Sequence, residues 1–121
     1  MSEIIRHQTT NNSNIQFVVK EYLDAFVNKD ATRLSSLLAL NVTLRDWTQL
    51  AEGHASVMAA NQRIFDLCGT VAVELLHLFA DAETAIAEID IRFDGGDPIH
   101  IVDLYEFNSD GKIVAIRAFQ G

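Results

Sequence analysis

Residues 70–120 read TVAVELLHLFADAETAIAEIDIRFDGGDPIHIVDLYEFNSDGKIVAIRAFQ, and their alternation decides the fold. Val71, Val73, Leu75, His77 and Phe79 share one face of a first strand, with Thr70, Ala72, Glu74, Leu76 and Leu78 on the other. Asp81 to Glu83 form a turn. Ala85, Ala87, Ile89, Ile91 and Phe93 then alternate with Thr84, Ile86, Glu88, Asp90 and Arg92, the cleanest half-buried strand in the chain. Gly95 and Gly96 mark a hairpin. Ile99, Ile101, Asp103, Tyr105 and Phe107 line one face of the next strand, Asn108 to Gly111 turn again, and Lys112 to Gln120 make a last strand. Period-two runs joined by short turns predict antiparallel pairing.

Upstream the period becomes helical. Ser13 and Gln16 have capping-box spacing, and Ile15, Val18, Val19, Tyr22, Leu23, Phe26 and Val27 recur at three- and four-residue steps. Asp30 caps a second, shorter helix whose apolar side is Leu34, Leu37 and Leu38. Val42 to Trp47 read as a strand, with Val42, Leu44 and Asp46 on one face and Thr43, Arg45 and Trp47 on the other. Gly53 punctuates a loop, and Ser56 caps a third helix carrying Val57, Ile64, Phe65 and Cys68. Helices come mostly first and strands mostly last, which predicts an α+β domain over 14–121. A long, curved, mixed or antiparallel sheet packs against three helices and encloses an apolar pocket. Residues 1–13 are polar and are expected to form a flexible arm.

The 121 residues fit one domain. The formal net charge is −8, and the nine Lys and Arg residues form no stripe. Nucleic acid and anionic membranes are therefore not expected as partners. Cys68 is the single cysteine, so no intrachain disulfide forms, and a cytoplasmic location is expected. No apolar run is long enough to span a bilayer, and the first residues lack a signal peptide's apolar core.

Two carboxylates interrupt apolar faces: Asp46 beside Val42 and Leu44, and Asp103 between Ile101 and Tyr105. Burying an ionised carboxylate without a partner costs several kcal/mol, so such groups neutralise or find donors. Each has a plain reading. Asp46 at a strand end caps a turn; Asp103 faces solvent if its strand is amphipathic the other way round; Tyr22 is a core aromatic with a satisfied hydroxyl. Taken together, a phenol and a neutral carboxyl hold an oxyanion, and an ionised carboxylate moves a proton. His54 and His77 make no metal-ligand spacing with Cys or a carboxylate; His54 sits in a pocket-side loop, and His77 reads as a half-buried strand histidine.

Val18-Val19-Lys20-Glu21-Tyr22-Leu23-Asp24-Ala25-Phe26-Val27-Asn28 resembles the opening helix of the bacterial ketosteroid isomerases. Val42-Thr43-Leu44-Arg45-Asp46 is similar to the strand that ends in their general-base aspartate. Val102-Asp103-Leu104-Tyr105-Glu106-Phe107-Asn108, followed by residues 111–119, resembles the strand of their oxyanion-hole aspartate and the final strand. The likeness runs from about Ile15 to Gly121, within the cone-shaped nuclear-transport-factor-2-like superfamily. It implies that Tyr22 and protonated Asp103 hold an oxyanion while Asp46 carries a proton from one carbon to another. It also implies substrate contacts at Trp47, Asn61, Tyr105, Ile116, Ala118 and Gln120.

The departures are specific. Trp47 replaces the proline that usually follows the base, the loop from Asp46 to Gly53 looks shorter, and Gln120 stands where the family has an aromatic wall residue. A polar wall favours a smaller or more oxygenated ligand than a steroid. The implied function is a double-bond shift beside a carbonyl through a dienolate, on a small apolar carbonyl compound, without metal or organic cofactor. A polyketide-cyclase-like or dehydratase-like lyase on the same fold is the alternative, as is a non-catalytic binding or dimerisation module. A homodimer through the outer sheet face is implied by the resemblance, with Leu76, Leu78, Val114 and Trp47 as apolar contacts.

Overall fold

The computed structural model describes the backbone of residues 2–121 and the side chains of residues 13–121. The expected arm over 1–13 lies outside the described side chains, Ser13 excepted. In chain order the elements are α1 (Ser2–Val27), α2 (Ala31–Leu37), β1 (Leu38–Arg45), β2 (Leu50–Glu52), α3 (His54–Leu67), β3 (Val71–Asp81), β4 (Thr84–Phe93), β5 (Ile99–Phe107) and β6 (Ile113–Gln120). The strands form one sheet in the order β2-β1-β6-β5-β4-β3. All neighbours are antiparallel except β1 and β6, which run parallel, so the sheet is mixed. It is curved and unclosed, and the three helices pack against it in the α+β cone expected from the sequence.

The predicted helical stripe is the buried one: Ile15, Val19, Tyr22, Leu23 and Ala25 face the core. Ser13 and Gln16 fall inside α1, not at an N-cap. Lys29, at φ 53°, breaks the chain out of α1. Its ammonium donates to the carbonyl oxygens of Phe65 (3.0 Å) and Cys68, capping the electronegative end of α3. Asp30 caps α2 as expected, its carboxylate accepting from the Arg33 amide at 3.1 Å. Three boundaries differ from the sequence reading. Leu38 opens β1 instead of closing α2, β1 stops before Asp46, and Gly53 (φ 89°) occupies the N-cap of α3 in place of Ser56. The strand β2 was not expected; three residues are too few to show a period.

β4 and β5 keep their predicted alternation, and Ala85, Ala87, Ile89, Ile91, Ile101, Asp103, Tyr105 and Phe107 are all buried. β3 does not. Its pairing with β4 steps from Leu75↔Ile89 to His77↔Glu88, leaving Leu76 as an extra residue. The bulge reverses every later side chain. Leu78 and Ala80 pack against the core, while His77 and Phe79 are exposed on the outer face. His77 is therefore a surface residue, bonded through Nδ1 to Glu88 Oε1 at 2.6 Å. His100 joins the same cluster through Glu88 Oε2 (2.9 Å) and Asp90 Oδ1 (2.7 Å). The hairpin after β4 turns on Asp94 and Gly95, both at positive φ (54° and 71°), the two-residue geometry that matches strand twist. Among the described residues, no helix is long and apolar enough to cross a membrane.

Candidate active site

The concave sheet face and the helices leave a cavity of about 280 Å³, at the small end of the range for ligand pockets. Its wall is mostly aliphatic and aromatic: Leu23 and Phe26 from α1, Ile64 from α3, and Ile89, Ile91, Phe93, Ile99 and Ile101 from β4 and β5. Into this wall project Tyr22, Asn61 and Asp103, with Asp46 and half-exposed Trp47 beside them. Among the described residues, no Lys, Arg or His lines the wall.

β5 carries Asp103 on its inward face between Ile101 and Tyr105. Its cross-strand partners are Ala87 on β4 and Ala118 on β6. These small neighbours leave room over the carboxyl, which larger residues would fill. Oδ2 accepts a hydrogen bond from the Tyr105 hydroxyl at 2.9 Å. Oδ1 accepts none among the described residues and is open to the cavity. Burial pushes the Asp103 carboxyl up to about 6, and the Tyr105 bond works against that rise.

Tyr22 stands on α1 with its ring edge-on to Tyr105, centroids 5.8 Å apart. Burial, and then the nearby Asp103 carboxylate, raise the Tyr22 hydroxyl well above an ordinary phenol; Asn61 pulls weakly the other way. Burial and the same carboxylate also raise Tyr105. Both tyrosines therefore remain neutral donors across the accessible pH range. Asn61 is buried on α3 and donates to the Val57 carbonyl oxygen at 3.1 Å.

Asp46 is built differently. It sits in the tight turn between β1 and β2, and its Oδ1 accepts from the Thr48 amide (2.7 Å), the Thr48 hydroxyl (2.8 Å) and the Gln49 amide (2.9 Å). Among the described residues, Oδ2 accepts only from Gln49 Nε2, at 3.3 Å. Partial burial raises its pKa, but the donors of Thr48 and Gln49 outweigh it and hold the carboxyl below the ordinary range. Asp46 caps the turn, as its plain reading has it, and also lines the cavity.

The structure gathers Tyr22, Asp46, Trp47, Asn61, Asp103, Ile116 and Ala118 around one cavity. Two expected contacts lie elsewhere. Tyr105 is fully buried beneath Asp103 and does not line the cavity. Gln120, the last residue of β6, is exposed in a shallow groove shared with Arg45, Arg117 and Phe119. His54, read as a loop residue near the pocket, is instead tied to α2, its Nε2 lying 3.0 Å from the Ser35 carbonyl oxygen. The aliphatic wall of β4 and β5 was missed as a site, though its inward alternation was legible.

A curved, unclosed mixed sheet packed by three helices, with a buried carboxyl and a phenol in the apolar cavity between them, is the cone of the nuclear-transport-factor-2-like class. The profile of the SnoaL-like domain matches residues 19–116, and the chain belongs to that family. A steroid Delta-isomerase of Nocardioides simplex is 30% identical over 113 residues, covering 88% of this chain and 89% of that protein. Among solved structures, a protein of Kribbella flavida provisionally described as a ketosteroid isomerase superposes with a TM-score of 0.80 at 18% identity, over 92% of this chain and 80% of that one. An LEH-like epoxide hydrolase of M. tuberculosis superposes with a TM-score of 0.79 at 16% identity, over 92% and 85%. At such identities the two structures speak for the fold and leave the chemistry to the site.

Proposed function

We propose that the chain is a ketosteroid-isomerase-like enzyme that shifts a double bond next to a carbonyl by intramolecular proton transfer through a dienolate. The observation that carries this reading is the pair of groups inside the apolar cavity: the open Oδ1 of buried Asp103 and the neutral hydroxyl of Tyr22. The likeness to a steroid Delta-isomerase supports the same chemistry.

A β,γ-unsaturated ketone enters with its carbonyl oxygen toward Tyr22 and Asp103. Asp46 takes a proton from the carbon between the carbonyl and the double bond. The C–H electron pair becomes the first double bond of a dienolate, and the carbonyl pair moves onto oxygen. Tyr22 and protonated Asp103 donate hydrogen bonds to that oxygen, stabilising charge where it develops. Asp46 returns the proton to the far carbon, the carbonyl re-forms, and the double bond is conjugated with it. No redox partner is consumed. Oδ2 of Asp46, held by one long bond, is the lone pair free for this work.

The test is to offer the protein a β,γ-unsaturated 3-oxosteroid and a smaller β,γ-unsaturated cyclic ketone and follow the ultraviolet absorbance of the conjugated enone. The small cavity and exposed Gln120 favour the smaller ketone, which is expected to turn over with the higher kcat/KM. Absence of catalysed conversion of both ends the isomerase reading.

The chain is also proposed to form a homodimer through the outer sheet face. Phe79 and Ile86 pair across β3 and β4 there, and Phe119 is exposed on β6. Of the contacts expected from the sequence, Leu78 is withdrawn, because the bulge at Leu76 turns it inward. Sedimentation velocity at micromolar concentration is expected to give a dimer, and Phe79→Lys to dissociate it; a monomer in the native protein refutes the pairing.

A further inference from the structure

Tyr105 has no place in the cavity wall, yet its hydroxyl is bonded to the carboxyl at the heart of that wall. It lies two residues after Asp103 on the inward face of β5, flanked by Ala85 and Ile116. Its ring is fully buried and wedged edge-on against Tyr22. An enclosed phenol must place its proton on an acceptor or forfeit a hydrogen bond. The acceptor is Asp103 Oδ2.

Two consequences follow from that bond. The first is directional. With Oδ2 occupied as an acceptor, Oδ1 is the oxygen that meets the ligand. When the carboxyl is protonated, the proton belongs on Oδ1, because Oδ2 is already receiving one. The second is a balance. A donor to a carboxylate favours its ionised form, whereas burial favours the neutral form. Among the described residues no cation lines the cavity to share that task. The titratable and polar groups that share the cavity with Asp103 are Tyr22 from α1, uncharged Asn61 from α3 and Asp46 from the β1–β2 turn, and its cross-strand neighbours are Ala87 on β4 and Ala118 on β6.

We propose that Tyr105 is a positioning residue that fixes which oxygen of Asp103 carries the proton and, by donating to the other, eases that carboxyl's ionisation inside the apolar cavity. Its kinetic consequence rests on the reading of Asp103 as an oxyanion donor; the bond's effect on Asp103 itself does not. A hydrogen-bonded carboxyl that changes charge near neutral pH makes the site responsive to acidity. Without the Tyr105 donor the carboxyl stays neutral to higher pH.

The test separates the two. Protein labelled with ¹³C at the aspartate carboxyl is titrated by NMR from pH 4 to 9, with Asp103→Asn assigning the Asp103 signal. Tyr105→Phe is expected to raise the Asp103 midpoint by about one pH unit, since it removes a donor that favours the charged form. Incorporation of 3-fluorotyrosine at 105 keeps the packing and strengthens the donor, so it is expected to lower the midpoint; it also serves if the phenylalanine variant folds poorly. In the same preparations the pH profile of kcat/KM is expected to move with the midpoint, and the acid plateau of Tyr105→Phe to fall as Oδ1 loses its fixed direction. A midpoint that stays in place or falls in Tyr105→Phe overturns the proposal. The titration needs no substrate, so it decides the role of Tyr105 even if the native protein shows no isomerase turnover.

Discussion

Asp46→Asn is expected to lower kcat for the double-bond shift by roughly 100- to 10,000-fold while leaving KM within a few fold, the loss typical of removing a positioned general base. The change is narrow because the turn survives it. An asparagine oxygen still accepts from the Thr48 amide, the Thr48 hydroxyl and the Gln49 amide, so only the 3.3 Å bond from Gln49 Nε2 is lost. Asp46→Ala strips the turn of every one of these bonds and is expected to cost about 1–2 kcal/mol of stability besides the activity. Parallel measurements of kcat, KM and Tm in the two variants check this. Turnover undiminished in Asp46→Asn, with Tm unchanged, takes the proton transfer away from Asp46 and leaves Asp103 Oδ1 as the carboxylate oxygen open to the cavity.

The same contrast between two carboxylates shows what a sequence discloses. Asp103 was legible as a carboxylate sharing a face with Ile101, Tyr105 and Phe107, but Val102 and Leu104 on the other face left its direction open until the structure buried the Asp103 side. Tyr22 was legible from the helical stripe that buries Val19 and Leu23 around it. Their meeting was not, since it depends on how α1 crosses the sheet, a fact of packing with no local trace. Tyr105 shares its parity with Asp103, and parity gives direction but not depth; the sequence reading therefore put it in the wall when it lies beneath. β3 failed for a different reason. One extra residue at Leu76 reverses the sheet face for Leu78 and Phe79, and nothing in the run of apolar residues marks where a bulge falls. The reversal matters to function, because it puts Phe79 and His77 on the outer face where the proposed dimer forms. Asp46 was read in two ways from the sequence; in the structure its oxygens organise a turn at the edge of the cavity it borders.

The pH dependence of turnover is expected to run opposite to that of most carboxylate-based catalysts. An oxyanion donor works only when protonated. With Asp103 raised to about 6, roughly 10% of the ligand-free enzyme carries that proton at pH 7 and roughly 1% at pH 8. The value of kcat/KM, which reports the free enzyme, should therefore climb about tenfold from pH 8 to 7 and about fivefold more to pH 6, and level off below that. The base must be ionised at the same time. The bonds from Thr48 and Gln49 hold Asp46 below the ordinary carboxylate range, so its loss limits the rate only at still lower pH. The resulting plateau lies on the acid side of neutrality, bounded above by Asp103 and below by Asp46. Initial rates in buffers of constant ionic strength from pH 4 to 9 check the profile, with Asp103→Asn as comparator. The asparagine amide donates at every pH, so that variant should lose the upper limb while keeping the lower one. A rate that instead rises with pH through 6 requires Asp103 to act ionised, as the base itself. Tyr22 would then be the sole hydroxyl donor left to the oxyanion.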